Sequence, residues 1–223
     1  NPINTHKMII PAILEKNPLD FAHKLAKIKT IPKLQRIQVD FTDGVFVESE
    51  SMLVEDLGHV PKLDKLEWEA HIMADHPSNF GAYKEAGFST VIVHYESFVS
   101  ETLLEEALEK IIKLGMKPGI AINPETNVST LRYFTDNIEH FTILSVEPGK
   151  QGNPFIATTY EKVKALREMA ENATIEVDGG VNADNAGTLI HSGADYLVVG
   201  SALFETENIK QNYQNIVTAG TEI

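Results

Sequence analysis

Three short stretches carry the side chains best suited to chemistry. "RIQVDFTDGVFV", Arg36 to Val47, closes an apolar run on Asp40 and puts Asp43 and Gly44 in the turn beyond. "LEWEAHI", Leu66 to Ile72, carries His71, and "TIEVDGG", Thr174 to Gly180, carries Asp178. Side chains alternate across a strand, so Gln38 shares a face with Asp40, Glu67 and Glu69 share one with His71, and Glu176 shares one with Asp178. If these faces all turn inward, two carboxylates and an imidazole converge. Such a trio can hold a divalent cation or act as a paired acid and base. Each residue also has a plain reading, Asp40 and Asp178 as turn initiators and His71 as a hydrogen-bonded strand-end histidine. The shared register favours chemistry and a wet, functional lumen at the His71 end.

A second set of residues suits an anion. "VDGGVN" and "VVGSALF" put Gly179, Gly180, Gly200 and Ser201 just after apolar runs. Glycines let backbone approach a ligand, and helix N-termini beyond them would direct N–H groups at a phosphate. The plain alternative is tight turns. "SVEPGKQGNPF", Ser145 to Phe155, is long enough to fold over a ligand. "HYE" at His94 to Glu96 and "NPET" at Asn123 to Thr126 end runs on polar residues and read as lining of the mouth, nothing more.

The elements that must position these groups alternate along the chain. Eight short apolar runs read as strands: "MIIPAIL", "LQRIQVD", "LEWEAHI", "TVIVHY", "KPGIAIN", "FTILSV", "TIEVDGG" and "DYLVVGS". Helical periodicity predicts helices over Leu19–Ile28, Glu101–Leu114, Tyr160–Ala170 and Asn185–Ser192. "NPLD" supplies a cap, a first-turn proline and an early carboxylate at Asn17 to Asp20, and "LGMKPG" and "SGAD" place glycines where helices should stop. Eight strand–helix units in 223 residues predict an α/β protein, a single (β/α)8 barrel spanning residues 1–223, with residues 1–7 as a poorly ordered extension. An open doubly wound sheet is the alternative, but its glycine fingerprint after the first strand is absent.

Composition narrows the partners. The formal charge of −13 argues against nucleic acid and anionic membrane surfaces, and no apolar run approaches membrane-spanning length. The expected location is the cytoplasm. Without any cysteine, a metal must be held by His, Asp, Glu or neutral oxygens.

The motifs "IIPAIL", "VDFTDGVFV", "HIM", "HYE", "AINPET", "SVEPG", "VDGGVN" and "GSALF", in this order, resemble the ribulose-phosphate 3-epimerase family nearly end to end. The resemblance implies a ribulose-phosphate-binding barrel that interconverts D-ribulose 5-phosphate and D-xylulose 5-phosphate by moving a proton at C3. It implies Asp40 and Asp178 as the acid/base pair and as ligands, with His71, of one divalent metal: zinc, iron, manganese, cobalt or magnesium. His71, Met73, Gly149, Lys150, Gln151, Gly152, Gly179, Gly180, Gly200 and Ser201 would bind substrate or its phosphate. Relatives form dimers or larger assemblies, which implies a homo-oligomer.

There are departures from the family pattern. Gln38 stands where a histidine usually supplies a fourth metal ligand, which predicts weak or absent metal. Ala12 replaces a substrate-binding serine, and Thr42 and Leu144 replace methionines. A non-catalytic sugar-phosphate-binding relative and an epimerase of another ketose phosphate, such as a hexulose 6-phosphate, are the competing expectations.

Overall fold

A computed structural model describes residues 8–58, 66–148 and 152–221. The predicted extension at residues 1–7 lies outside them. Eight parallel strands close into a barrel in chain order: β1 (Met8–Ile13), β2 (Arg36–Thr42), β3 (Glu67–Met73), β4 (Thr90–His94), β5 (Lys117–Ile122), β6 (His140–Leu144), β7 (Thr174–Asp178) and β8 (Tyr196–Val199). This is the (β/α)8 architecture the alternation predicts, and the open-sheet alternative is set aside because β8 pairs with β1.

Among the described residues, six α-helices cover the barrel: α1 (Pro18–Ile28), α2 (Phe80–Ala86), α3 (Glu101–Lys113), α4 (Thr159–Met169), α5 (Ala183–Ser192) and α6 (Ile209–Thr221). Their boundaries follow local chemistry. Asn17 accepts the Asp20 N–H at 3.0 Å and Pro18 opens α1. Gly193 ends α5 with φ of 117°, in the left-handed region that favours glycine.

Among the described residues, the connections after β2 and β5 carry short 3-10 turns, Val54–Leu57 and Val128–Phe134, in place of α-helices. The apolar pairs Val54 with Leu57 and Leu131 with Phe134 are three apart, and three residues per turn brings each pair onto one face against the core.

Outward-facing strand residues such as Ile37, Val39, Trp68, Ala70, Val91 and Val93 pack under the helices as the main core. Inside the barrel, aliphatic packing is confined to two small groups, Ile10, Ala12 and Val198 on one side and Ile92, Ala121 and Leu144 on the other. Polar side chains fill the remainder. At the N-terminal end Arg36 pairs with Glu67 and donates to Glu69 at 3.0 Å, while Thr142 donates to Glu176 at 2.8 Å. Glu69 and Glu176 have no solvent exposure. Burial and the nearby Glu176 charge push Glu69 well above the usual carboxylate range. The alternation therefore places Glu69 and Glu176 in the lumen, but as a dry floor below the histidine. The open part of the lumen lies at the His71 end, where the alternation put it.

Candidate active site

The C-terminal strand ends bring Asp40, His71 and Asp178 together. Asp40 lies opposite His71 in the β2–β3 register, and Asp178 pairs with Leu144 and Val198 on either side of β7. One ligand atom from each of the three lies within 4.8 Å of the others. Nδ1 of His71 is 3.1 Å from Oδ1 of Asp40 and 3.1 Å from Oδ2 of Asp178. Gln38, fully buried one pleat lower, donates from Nε2 to the same two oxygens at 2.7 and 2.8 Å. Two nitrogens thus bridge one pair of carboxylate oxygens. Oδ2 of Asp40 and Oδ1 of Asp178 take no hydrogen bond among the described residues, and both residues line the cavity above.

The charges follow from this enclosure. Burial raises the proton affinity of Asp40, and the neighbouring Asp178 charge raises it further, against the donors His71 and Gln38. Burial alone would lower His71, but its hydrogen bonds to Asp178 and Asp40 outweigh that and hold it up to about 10. Without a cation, then, the centre carries a proton on His71.

Asp40, His71 and Asp178 suit a divalent cation: two carboxylates and one imidazole converge within reach of one ion. Gln38 fits only conditionally. It presents N–H groups to the oxygens a cation would share, and its Oε1 is buried without a partner. A half-turn of the amide would offer Oε1 as a fourth donor.

The other face of the cavity is built from glycine turns. Gly179, Gly180, Gly200, Ser201 and Gly152 line it with Ala12, Met73 and Leu144, enclosing about 580 Å³ including the open mouth. Gly179 has φ of 113°, and a Cβ there would lie 2.4 Å from Cγ2 of Val146. Only glycine lets the β7 turn pass that close. The α5 terminus, expected to point N–H groups at an anion, is instead capped: Asn182 accepts from Asp184 and Asn185 at 2.8 and 3.3 Å. No side chain caps the 3-10 turn that begins at Ser201. Gly149, Lys150 and Gln151 lie outside the described residues.

Asp43 shapes the turn beyond β2. Its Oδ1 accepts the N–H groups of Val45 and Phe46 at 2.9 and 2.8 Å, and its Oδ2 accepts that of Asp75 at 2.7 Å. Burial opposes ionisation, but these backbone donors together outweigh it and hold the carboxyl below its usual range. Asp43 is a strap between the loops after β2 and β3, and it sets Phe46 against His94 with ring centroids 4.9 Å apart.

Sequence reasoning left His94 and Glu96 as mouth lining. His94 is wholly buried, with its Nε2 2.8 Å from Nε2 of His71, and its Nδ1 lies 3.3 Å from Oε2 of Glu96. The available signal was "HYE" itself, a histidine and a glutamate at the end of the strand beside the one that carries His71.

Fold and site together define a class: a (β/α)8 barrel with a carboxylate pair and a histidine at its C-terminal mouth, facing a glycine-built cradle. Comparison with known proteins makes this specific. The model of the ribulose-phosphate 3 epimerase family matches residues 8–204. The chain is 31% identical over 210 residues to ribulose-phosphate 3-epimerase of Methanocaldococcus jannaschii, covering 91% of this chain and 88% of that one. It is 30% identical over 216 residues to the Bacillus subtilis protein of the same name, covering 93% and 97%. The chain belongs to the ribulose-phosphate 3-epimerase family. A crystal structure of 3-hexulose-6-phosphate synthase shares the fold, with a TM-score of 0.69 at 15% identity over 95% of this chain and 99% of the other.

Proposed function

We propose that this chain is an epimerase that interconverts D-ribulose 5-phosphate and D-xylulose 5-phosphate, with Asp40 and Asp178 as the proton-transfer pair. The observation that carries the reading is the single Gln38 nitrogen donating to both carboxylates, at 2.7 and 2.8 Å. It sets the two groups on either side of one small position, each with an oxygen left for substrate. One carboxylate takes the C3 proton and the C3–H electrons move into the C2 carbonyl, forming an enediolate. The other, protonated, returns a proton to the opposite face of C3. Microscopic reversibility exchanges these roles for the two substrates. The raised proton affinity of Asp40 suits the acid role.

His71 Nδ1, equidistant from both carboxylates, is the group through which a proton can be supplied to either. Gln38 fixes the carboxylates' other edges so that their free oxygens face the cavity. Asp40, His71 and Asp178 would hold a divalent cation, and such an ion supplies charge stabilisation for a developing oxyanion. Two carboxylates, an imidazole and at best one amide oxygen favour manganese or magnesium over zinc.

Phosphate is assigned to the Gly179–Gly180 turn, to Gly200 and Ser201, and to the loop Gly149, Lys150, Gln151 and Gly152. Met73, Ala12 and Leu144 form an apolar wall beside the reacting carbon. The partner is thus a small phosphorylated ketose. No helix among the described residues is long and apolar enough to cross a membrane, in keeping with a cytoplasmic enzyme. Self-association would show in light scattering as a mass above 24.7 kDa.

The test is isotope exchange. Ribulose 5-phosphate in heavy water should acquire deuterium at C3, and Asp40→Asn and Asp178→Asn should each slow the exchange by about 10²–10⁴-fold. If neither ribulose 5-phosphate nor a hexulose 6-phosphate exchanges, with manganese, magnesium, zinc or no metal, the catalytic reading fails and a binding role stands.

A further inference from the structure

We propose that Ser145 and Asn185 are positioning residues for the anion end of the site: they hold two successive carbonyls of the β7 turn and so aim the Gly180 and Val181 N–H groups into the cavity. The need for such tethers follows from the turn itself. Gly179 and Gly180 both have positive φ, 113° and 62°, and no side chain on either resists a flip of the peptide between them. A trans peptide sets its C=O and N–H in opposite directions, so whatever holds the carbonyl also decides where the next N–H points. A flipped peptide would present a carbonyl oxygen to a phosphate in place of a donor.

Both tethers are buried side chains. Ser145 has no solvent exposure, and its Oγ lies 3.0 Å from the Asp178 carbonyl oxygen and 2.5 Å from that of Gly179. The Asp178 oxygen already takes the Ser145 N–H at 2.8 Å, so the single hydroxyl proton belongs on the nearer bond, to Gly179. Ser145 is itself fixed, since its carbonyl accepts the Ile156 N–H at 2.7 Å. Asn185 donates from Nδ2 to the Gly180 carbonyl at 2.9 Å, while its Oδ1 accepts the Asn182 N–H at 2.9 Å. Gly180 and Val181 line the cavity, and Ser145 and Asn185 stand behind them. The Gly180 and Val181 N–H groups have no acceptor among the described residues. Adjacent backbone donors fixed in this way make a concave site for an anion. The donors thus lie in the turn ahead of the Asn182 cap, not in the first turn of α5.

The choice of phosphate as the anion rests on the epimerase reading, but the orientation of the peptides does not require turnover, and the test separates them. In ¹⁵N-labelled, metal-free protein titrated with inorganic phosphate, the Gly180 and Val181 amide protons should move downfield and saturate. Ser145→Ala should weaken phosphate binding by about tenfold and remove most of the Gly180 shift, because the Gly179 carbonyl loses its donor. Ser145→Thr, which keeps the hydroxyl, should stay within about twofold of the wild type. Asn185→Ala should give the same loss at Val181, which also serves if Ser145→Ala does not fold. In turnover, Ser145→Ala should raise KM about tenfold with kcat changed by no more than about threefold, whereas a merely structural role would lower kcat through Asp178. Gly180 and Val181 amides that ignore phosphate in the wild type overturn the proposal, as does wild-type phosphate affinity in Ser145→Ala or binding by Ser145→Thr no tighter than by Ser145→Ala. The expected phosphate shifts without deuterium exchange at C3 of ribulose 5-phosphate would sink the epimerase reading alone.

Discussion

Metal-free protein is expected to lose stability from pH 7 to pH 9, and the carboxylate pair sets how steeply. His71 is held up to about 10 in the fold, against 6.5 for a free histidine. A group whose folded pKa is raised contributes stability that is complete below the unfolded value and disappears as pH climbs through the folded one. Between the two, only the folded state holds the proton, so stability falls by about 1.4 kcal/mol per pH unit. From pH 7 to 9 the loss is about 2.7 kcal/mol. For 223 residues the unfolding entropy is about 0.47 kcal/mol/K, so the melting temperature should fall by about 6 °C.

Other groups titrate too, notably Glu69, which is also raised. The comparison that isolates His71 is the double substitution Asp40→Asn with Asp178→Asn. It removes the acceptors that keep the buried imidazole charged and leaves the floor untouched. Thermal melts followed by circular dichroism, in chelator at pH 7, 8 and 9, should show the wild type falling about 6 °C further than the double variant. Parallel curves, equal within about 1 °C, would refute the claim that these carboxylates hold a proton on His71.

Gln38→Glu should reverse the balance between protein and cation. It replaces the donor amide by a third carboxylate, so the metal-free melting temperature should fall while the gain on adding manganese exceeds that of the wild type; an equal gain would show that Gln38 does not face the ion. Gly179→Ala should cost at least about 2 kcal/mol in chemical denaturation, since it combines a positive φ with a contact of 2.4 Å to Val146. Gly152→Ala, with φ of 85° but nothing within 4 Å, should cost only the backbone strain, about 1–2 kcal/mol. Equal losses at both glycines would show that close approach to Val146 is not what the β7 turn requires.

What was legible in the sequence follows from the symmetry of a parallel barrel. All strand C-termini open at one mouth, so the phase of a two-residue alternation suffices to bring Asp40, His71 and Asp178 together. The same alternation carries no information on depth until the strand ends are known. Glu69 and Glu176 share faces with His71 and Asp178, but each sits two residues earlier, about 7 Å nearer the floor, where the pairing with Arg36 and Thr142 keeps them dry. The amide of Gln38 was the least legible group. Glutamine offers a donor and an acceptor at one position, and only the two oxygens in reach decide that nitrogen faces them. His94 and Glu96 needed the 3-10 turn Tyr95–Ser97, which carries Glu96 back within reach of His94, and a strand-end pattern does not reveal that turn. The same limit applies to the connections after β2 and β5, where pairs spaced by three also occur in ordinary helices.

The exchange of a proton for a cation at Nδ1 of His71 bears on how so acidic a protein meets an anionic substrate. The chain carries a formal charge of −13, so a phosphorylated sugar approaches against the overall field. With both carboxylates ionised and His71 protonated, the three central groups carry one net negative charge. A divalent ion that displaces the Nδ1 proton makes their sum zero. Uptake of the ion should therefore release one proton, so that affinity falls about tenfold for each pH unit below the folded value of about 10. It should also ease entry of the phosphate, and by reciprocity a phosphate in the glycine cradle should tighten the ion. Calorimetric titration of manganese in two buffers of different ionisation enthalpy, with and without inorganic phosphate, measures both couplings. A proton count of zero would mean that the ion does not compete for Nδ1, and the bridging geometry of His71 would then have to be serving the carboxylates alone.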